Sequence, residues 1–307
     1  MELEKLFQNF IKYAESKHLL IEGIAVADDK KVILEHHFTP DLARNIYSHT
    51  KSYMSTAAGI AISQGKLSLD DKLTDFFPEY VPEHPDTRLF KISLKNLLTM
   101  SSGFGNPYLM GGDRRSGVGF PDYLSYMMNR PMEKDPAESF LYSTSDSILA
   151  GRMIEKAVGQ RLGEYLYHQV FSKLEQGWPM WENDPMGHPI GGGGMFMKLT
   201  DMMKLGQLYL ADGVWKGERI VESDWIKEAT SKQIDTPPDS KEDIWRCGYG
   251  YQFWLSPYPD AYRADGAFGQ ITTVFPRKGM VVSVQCPEYG DFDKVKGALH
   301  EQLFANL

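Results

Sequence analysis

Apolar residues at positions 3, 6, 7, 10 and 11 recur at helical spacing and predict an amphipathic helix at the start of the chain. Two strand-like runs follow, 20–27 and 31–38, and the Asp28-Asp29-Lys30 turn between them predicts a hairpin. The pattern changes after residue 48. Met54, Ala57, Ala58, Ile60, Ala61 and Ile62 make the next helix apolar nearly all round, as for a helix inside a domain, and Gly59 lets neighbours approach closely. This helix is expected to end near Gln64-Gly65. From 79 to 185 strand signals are few. Helices are expected over 93–100 and 146–158, with Gly159 placed as a C-cap and a glycine-rich loop over 103–119. Beyond Gly191-Gly-Gly-Gly194, helical segments at 200–210 and 225–232 lead to strand runs at 248–255, 270–275 and 280–285, then a helix over 292–304. Strands near both ends, with helices between, predict an α+β fold: one antiparallel sheet flanked by helices, beside a mainly helical second domain. The expected division is a discontinuous sheet domain, 1–78 and 186–307, and a helical domain, 79–185, with the active site in the cleft between them.

Composition narrows the function classes. The chain has 307 residues, 42% hydrophobic and 24% charged, as a soluble globular protein does. A net charge of −8 argues against nucleic acid as a partner. Cys247 and Cys286 give neither a disulfide framework nor a metal spacing and are expected to be reduced. The eight histidines form no metal pair, there is no G-x-S-x-G elbow, and Gly65-Lys66 lacks the rest of a phosphate loop. No metal or organic cofactor is implied. No apolar run reaches the length of a membrane span, and the first residues carry no basic and apolar leader pattern. The expectation is a cytoplasmic protein without membrane contact, its oligomeric state open.

Three segments carry candidate chemistry. In Ser48-His49-Thr50-Lys51, a serine and a lysine three residues apart share one helix face. A hydroxyl is a poor nucleophile until a base takes its proton, and a desolvated lysine is such a base. His49 projects about 100° away around the helix, which disfavours a Ser–His dyad. The second segment is Phe140-Leu-Tyr142-Ser143-Thr144, where a tyrosine just before a helix start can point its hydroxyl into a cleft. Beside a lysine its pKa is expected to fall, allowing a phenolate base. The third is Tyr262-Arg-Ala264-Asp265-Gly266-Ala267-Phe268-Gly-Gln270, whose glycines allow close backbone approach by a ligand; a backbone N–H here and that of Ser48 would make an oxyanion hole. Each segment alone also has a bland reading: a chance S-x-x-K, a locally bonded tyrosine, a simple turn. Tyr47, Tyr108, Trp178, Trp181, Trp245 and Phe268 are candidate cleft walls or core residues. Asp113-Arg114-Arg115 could reach an acidic substrate group, although exposed charges are usually only solvated.

Together the three segments resemble the serine β-lactamase and penicillin-binding-protein superfamily, in its class C-like branch of esterases, D,D-peptidases and β-lactamase-related hydrolases. Supporting stretches lie in the family order at 61–72, 92–103 and 192–206, so the resemblance covers most of the chain. It implies a β-lactamase/transpeptidase-like fold and acyl transfer through an acyl-enzyme on Ser48. Lys51 and Tyr142 would then move the proton, and the backbone N–H groups of Ser48 and Ala267 would form the oxyanion hole. Thr144, Ala264, Asp265, Gly266 and Phe268 are the implied substrate-binding residues. The glycine run at 191–194 is then a structural turn at the active-site edge. Two positions depart from the family. Ala264 stands where a lysine or histidine is common, removing a cationic anchor, and Arg263 beside it points to the opposite face of the strand. Thr144 stands where many relatives have asparagine. Both departures favour an ester or a small amide or peptide over a β-lactam or a D-alanyl-D-alanine peptide. The alternatives are a β-lactamase, a D-alanyl-D-alanine carboxypeptidase, or a catalytically silent relative that binds a peptide or amide.

Overall fold

A computed structural model describes residues 2–238 and 243–307. Helix α1, Glu2–Ser16, buries Phe7, Phe10, Ile11 and Ala14, the face its apolar spacing predicts. Strands β1, Gly23–Ala27, and β2, Val32–His37, form the expected hairpin. Asp28 closes its turn by accepting hydrogen bonds from the backbone N–H groups of Lys30 (2.8 Å) and Lys31 (2.7 Å). Helix α2, Thr50–Ser63, is buried on nearly every side. At Gly59 an added Cβ would overlap the Trp225 ring, so glycine is what lets that indole lie against α2.

In the middle of the chain, α3, Leu94–Leu98, starts on a capping box formed by Ser93 and Asn96. Helix α4, Thr144–Val158, ends on Gly159 in the left-handed conformation, φ 72°. Helix α5, Leu199–Leu210, lies on the sheet, and Gly206 brings it within touch of Thr272 and Val281. The remaining strands are β3, Trp254–Leu255; β4, Tyr262–Gly266; β5, Gln270–Phe275; and β6, Met280–Gln285. Helix α6, Phe292–Ala298, continues through a wider turn at Leu299–Leu303.

The six strands form one antiparallel sheet in the order β2-β1-β6-β5-β4-β3, so the first hairpin pairs with strands from the far end of the chain. Gly23 stands opposite Gln285, and Ala27 opposite Val281. Because side chains alternate along a strand, β1 feeds two cores. Ala25 and Ala27 join the core shared with α2, α4 and α5, while Ile24 and Val26 join Phe7, Phe10, Val295 and Leu299 beneath α1 and α6. The architecture is the expected α+β one, an antiparallel sheet flanked by helices.

Two expected elements differ. The run 248–255 becomes a strand only at its last two residues, because Gly248 (φ 102°) and Gln252 (φ 61°) take left-handed backbone that a strand cannot continue through. The helix expected over 225–232 is Ser223–Ala229, and it stops before Thr230. Both cysteines are free, as expected, with Cys286 buried and Cys247 half-buried. No helix among the described residues is long and apolar enough to cross a membrane.

Candidate active site

Ser48 lies in a 3-10 turn, Tyr47–His49, that runs directly into α2 and so places Lys51 in the first turn of that helix. The turn is entered through Tyr47 with φ 46°, an unfavourable conformation for a residue with a side chain. Asn45 supports it by accepting a hydrogen bond from the Tyr47 backbone N–H at 2.8 Å. The end of β4 lies against the same turn. A Cβ on Gly266 would overlap the Ile46 carbonyl oxygen and crowd the His49 nitrogen, so only glycine permits this approach. Ala267 follows and, with Ser48, lines a cleft of about 430 Å³.

Lys51 is 1% exposed. Its Nζ donates to the Gly192 carbonyl oxygen at 2.7 Å, stands 3.5 Å from Thr144 Oγ1, and lies 5.2 Å from the centre of the Tyr142 ring. Burial pushes its pKa down to about 7, the Arg114 charge pushes the same way, and Asp146 pulls against both. A lysine that loses its proton near neutrality can accept one from a hydroxyl. Gly192 is again required by space, because a Cβ there would run into Thr144 and Lys51 Nζ.

Tyr142 stands close to the Ser48 side chain, within reach of a hydrogen bond. Its pKa moves opposite to the sequence expectation: burial raises it well above the ordinary phenol value, although the Ser48 hydroxyl favours the anion. Tyr142 is therefore a neutral phenol at rest and not a phenolate. Asp146, two residues into α4, is a buried carboxyl that the sequence reading passed over as part of a helix start. Ser102 Oγ donates to its Oδ1 at 2.9 Å, and its Oδ2 has no partner among the described residues. Burial raises its pKa to about 7. Its one sequence signal was a carboxylate just ahead of the apolar run Ile148-Leu149-Ala150.

The other expected residues divide. Ser48, Thr144, Ala267 and Phe268 line the cleft, as does Tyr47, whose ring lies edge-on to Phe268 at 5.1 Å. Ala264 and Asp265 do not. Ala264 is buried, and Asp265 accepts from Arg263 Nε at 2.8 Å in a buried ion pair. Arg263 lies on the face away from Ala264, its guanidinium 4.7 Å from the Trp245 ring centre. Of the run Gly191-Gly-Gly-Gly194, Gly192, Gly193 and Gly194 line the cleft, and Gly192 supplies the carbonyl that holds Lys51. His49 points into the sheet, with Nε2 2.9 Å from Thr272 Oγ1, and burial pushes its pKa down to about 3; it is no partner for Ser48. Arg114 and Arg115, read in the sequence either as able to reach an acidic substrate group or as merely solvated, both line the cleft.

A hydroxyl, a desolvated amine and a phenol within reach of that hydroxyl form a set suited to acyl transfer. Comparison with known proteins points to the same chemistry. The family model described as Beta-lactamase matches residues 7–301. The 6-aminohexanoate-dimer hydrolase of Paenarthrobacter ureafaciens is 23% identical, over 78% of this chain and 70% of its own length. Esterase EstB of Burkholderia gladioli is 28% identical over a shorter stretch, 40% of this chain and 34% of the esterase. A penicillin-binding protein homologue from Caulobacter crescentus superposes with a TM-score of 0.76 at 15% identity, covering 100% of this chain and 98% of that one.

Proposed function

The chain belongs to the beta-lactamase family, whose members are serine hydrolases, and on that premise we propose that it hydrolyses an ester or a small amide or peptide through an acyl-enzyme on Ser48. Neutral Lys51 takes the Ser48 proton as Oγ attacks the substrate carbonyl carbon. The developing oxyanion is received by the backbone N–H groups of Ser48 and Ala267. The proton passes through the Tyr142 hydroxyl to the leaving group as its bond to the carbonyl carbon breaks, leaving an ester on Ser48. Water then attacks that ester, its proton passing through the same groups to Ser48 Oγ as the bond between Oγ and the acyl carbon breaks, and the acid is released.

The observation that carries this reading is the Lys51 environment: an ammonium site buried to 1% exposure, held by one carbonyl at 2.7 Å, one helical turn from Ser48. A structural lysine gains nothing from such desolvation, whereas a base does. The preference for an ester or small amide rests on Ala264, which offers no cation at the third motif. Hydrolysis of p-nitrophenyl butyrate by wild type and by Ser48→Ala tests the assignment. The expected result is a loss of at least about a thousandfold in kcat/KM. Turnover that survives in folded Ser48→Ala would place the chemistry on another group.

A further inference from the structure

The lining of the Ser48 cleft carries more cations than acids although the protein is negative. That lining holds two cations, Arg114 and Arg115, and one anion, Glu182, for a sum of +1; the chain as a whole carries −8. Both arginines come from the short helical turn Gly111–Arg115. The two are not equivalent. Arg114 has structural partners: its side chain is 15% exposed, donates to the Leu109 carbonyl oxygen at 2.8 Å and stands 3.5 Å from the Glu182 carboxylate. Arg115 is exposed and has no ion pair or side-chain hydrogen bond among the described residues. Its guanidinium lies close to Gly111, where an added Cβ would sit 3.6 Å from Nη1. It also lines a neighbouring cavity of about 440 Å³ that shares Asn45, Tyr47 and Glu182 with the Ser48 cleft.

A guanidinium presents a planar fork of N–H donors that matches a carboxylate in a two-point contact. On an open surface an unpaired arginine is merely hydrated. Here it borders the cleft that holds Ser48, and the one acid in the lining is already taken up by Arg114. The third-motif strand offers no competing cation, since Ala264 is buried and Arg263 is paired with Asp265.

We infer that the substrate carries a carboxylate and that Arg115 binds it from the 111–115 turn, making Arg115 a specificity-determining residue. The inference rests on Ser48 being the nucleophile. Arg114 holds the turn in place and supplies a second, partly compensated charge behind it.

The test compares two esters of similar length, p-nitrophenyl butyrate and the mono-p-nitrophenyl ester of glutaric acid, with wild type, Arg115→Ala and Arg115→Lys. The expected wild type prefers the glutarate ester. Arg115→Ala raises KM for that ester about 10- to 100-fold more than for the butyrate ester, the range of a charge-assisted contact, and Arg115→Lys restores part of the preference. No preference in wild type, or an equal change for both esters in Arg115→Ala, overturns the inference. The nucleophile has its own readout, since loss of butyrate turnover in Ser48→Ala upholds it whichever way the ratio falls. Should wild type turn over neither ester, calorimetry with N-phenylglutaramic acid and N-phenylbutanamide reads the same contact. Tighter binding of the acid that is lost in Arg115→Ala supports the inference, and equal binding overturns it.

Discussion

At the scale of single residues, the acid–base groups set how the reaction follows pH. Lys51 acts as a base only when uncharged, and burial and Arg114 hold its pKa near about 7, where an ordinary lysine would stay charged to about 10.4. The fraction of neutral Lys51 therefore grows as pH rises through about 7. The kcat/KM for a neutral ester is expected to fall tenfold per pH unit below that point and to level off above it. Asp146 pulls Lys51 upward, so Asp146→Asn is expected to move this acid limb to lower pH. A limb centred above pH 9, or one that Asp146→Asn moves upward, would rule out Lys51 as the base. Ser48 and Lys51 were legible in the sequence because S-x-x-K is a local spacing that a helix turns into a shared face. The direction of the Tyr142 shift was not. It depends on how much of the ring the fold buries, and burial outweighs the effect of the Ser48 hydroxyl.

At the scale of elements, legibility followed the cause of each element. β5 and β6 lie where their apolar runs predicted, and α4 ends on the predicted Gly159. β3 was overestimated because its run contains Gly248 and Gln252 in left-handed backbone, a choice made by tertiary contacts and not by propensity. Gln252 earns that conformation through its side chain, whose Nε2 donates to the carbonyl oxygens of Leu97 and Leu98 at 3.2 and 3.1 Å. The fit of β4 against the Ser48 turn was readable only as two glycines. Its consequence is specific: Gly266→Ala is expected to push the end of β4 away from Ile46 and His49. The expected cost is about 1–3 kcal/mol of stability, the usual range for overpacking, with a fall in kcat larger than any change in KM because Ala267 and Ser48 separate. Denaturant midpoints and steady-state kinetics on the same variant check both parts. Wild-type kcat in Gly266→Ala would show that the strand does not position the site.

For the whole molecule, we propose the division 1–78 with 186–307 around the sheet and 79–185 as a helical body, with the Ser48 cleft between them. Burial adds a condition to that division. Ala25 and Val281 from the sheet, Tyr53 from α2, and Leu97, Leu149 and Phe171 from the helical body belong to one continuous core. The Tyr53 and Phe171 rings lie 5.3 Å apart within it. Gln252 joins the two parts a second time: its side chain accepts from Ser147 Oγ at 2.7 Å and donates to the Leu97 and Leu98 carbonyl oxygens at 3.2 and 3.1 Å. With apolar surface and buried polar bonds shared in this way, the helical body loses its core when the sheet part unfolds, and the sheet part is left only with the smaller core beneath α1 and α6. The two parts are then sides of a cleft and not independent folding units. Scanning calorimetry is expected to give one transition, with calorimetric and van't Hoff enthalpies in agreement. Gln252→Ala leaves the Ser147 hydroxyl and the Leu97 and Leu98 carbonyls without this partner and should lower that transition by about 1–3 kcal/mol, still as a single step. Two resolved transitions in wild type would mean that the helical body carries a sufficient core of its own, and that the cleft can open by separating two stable halves.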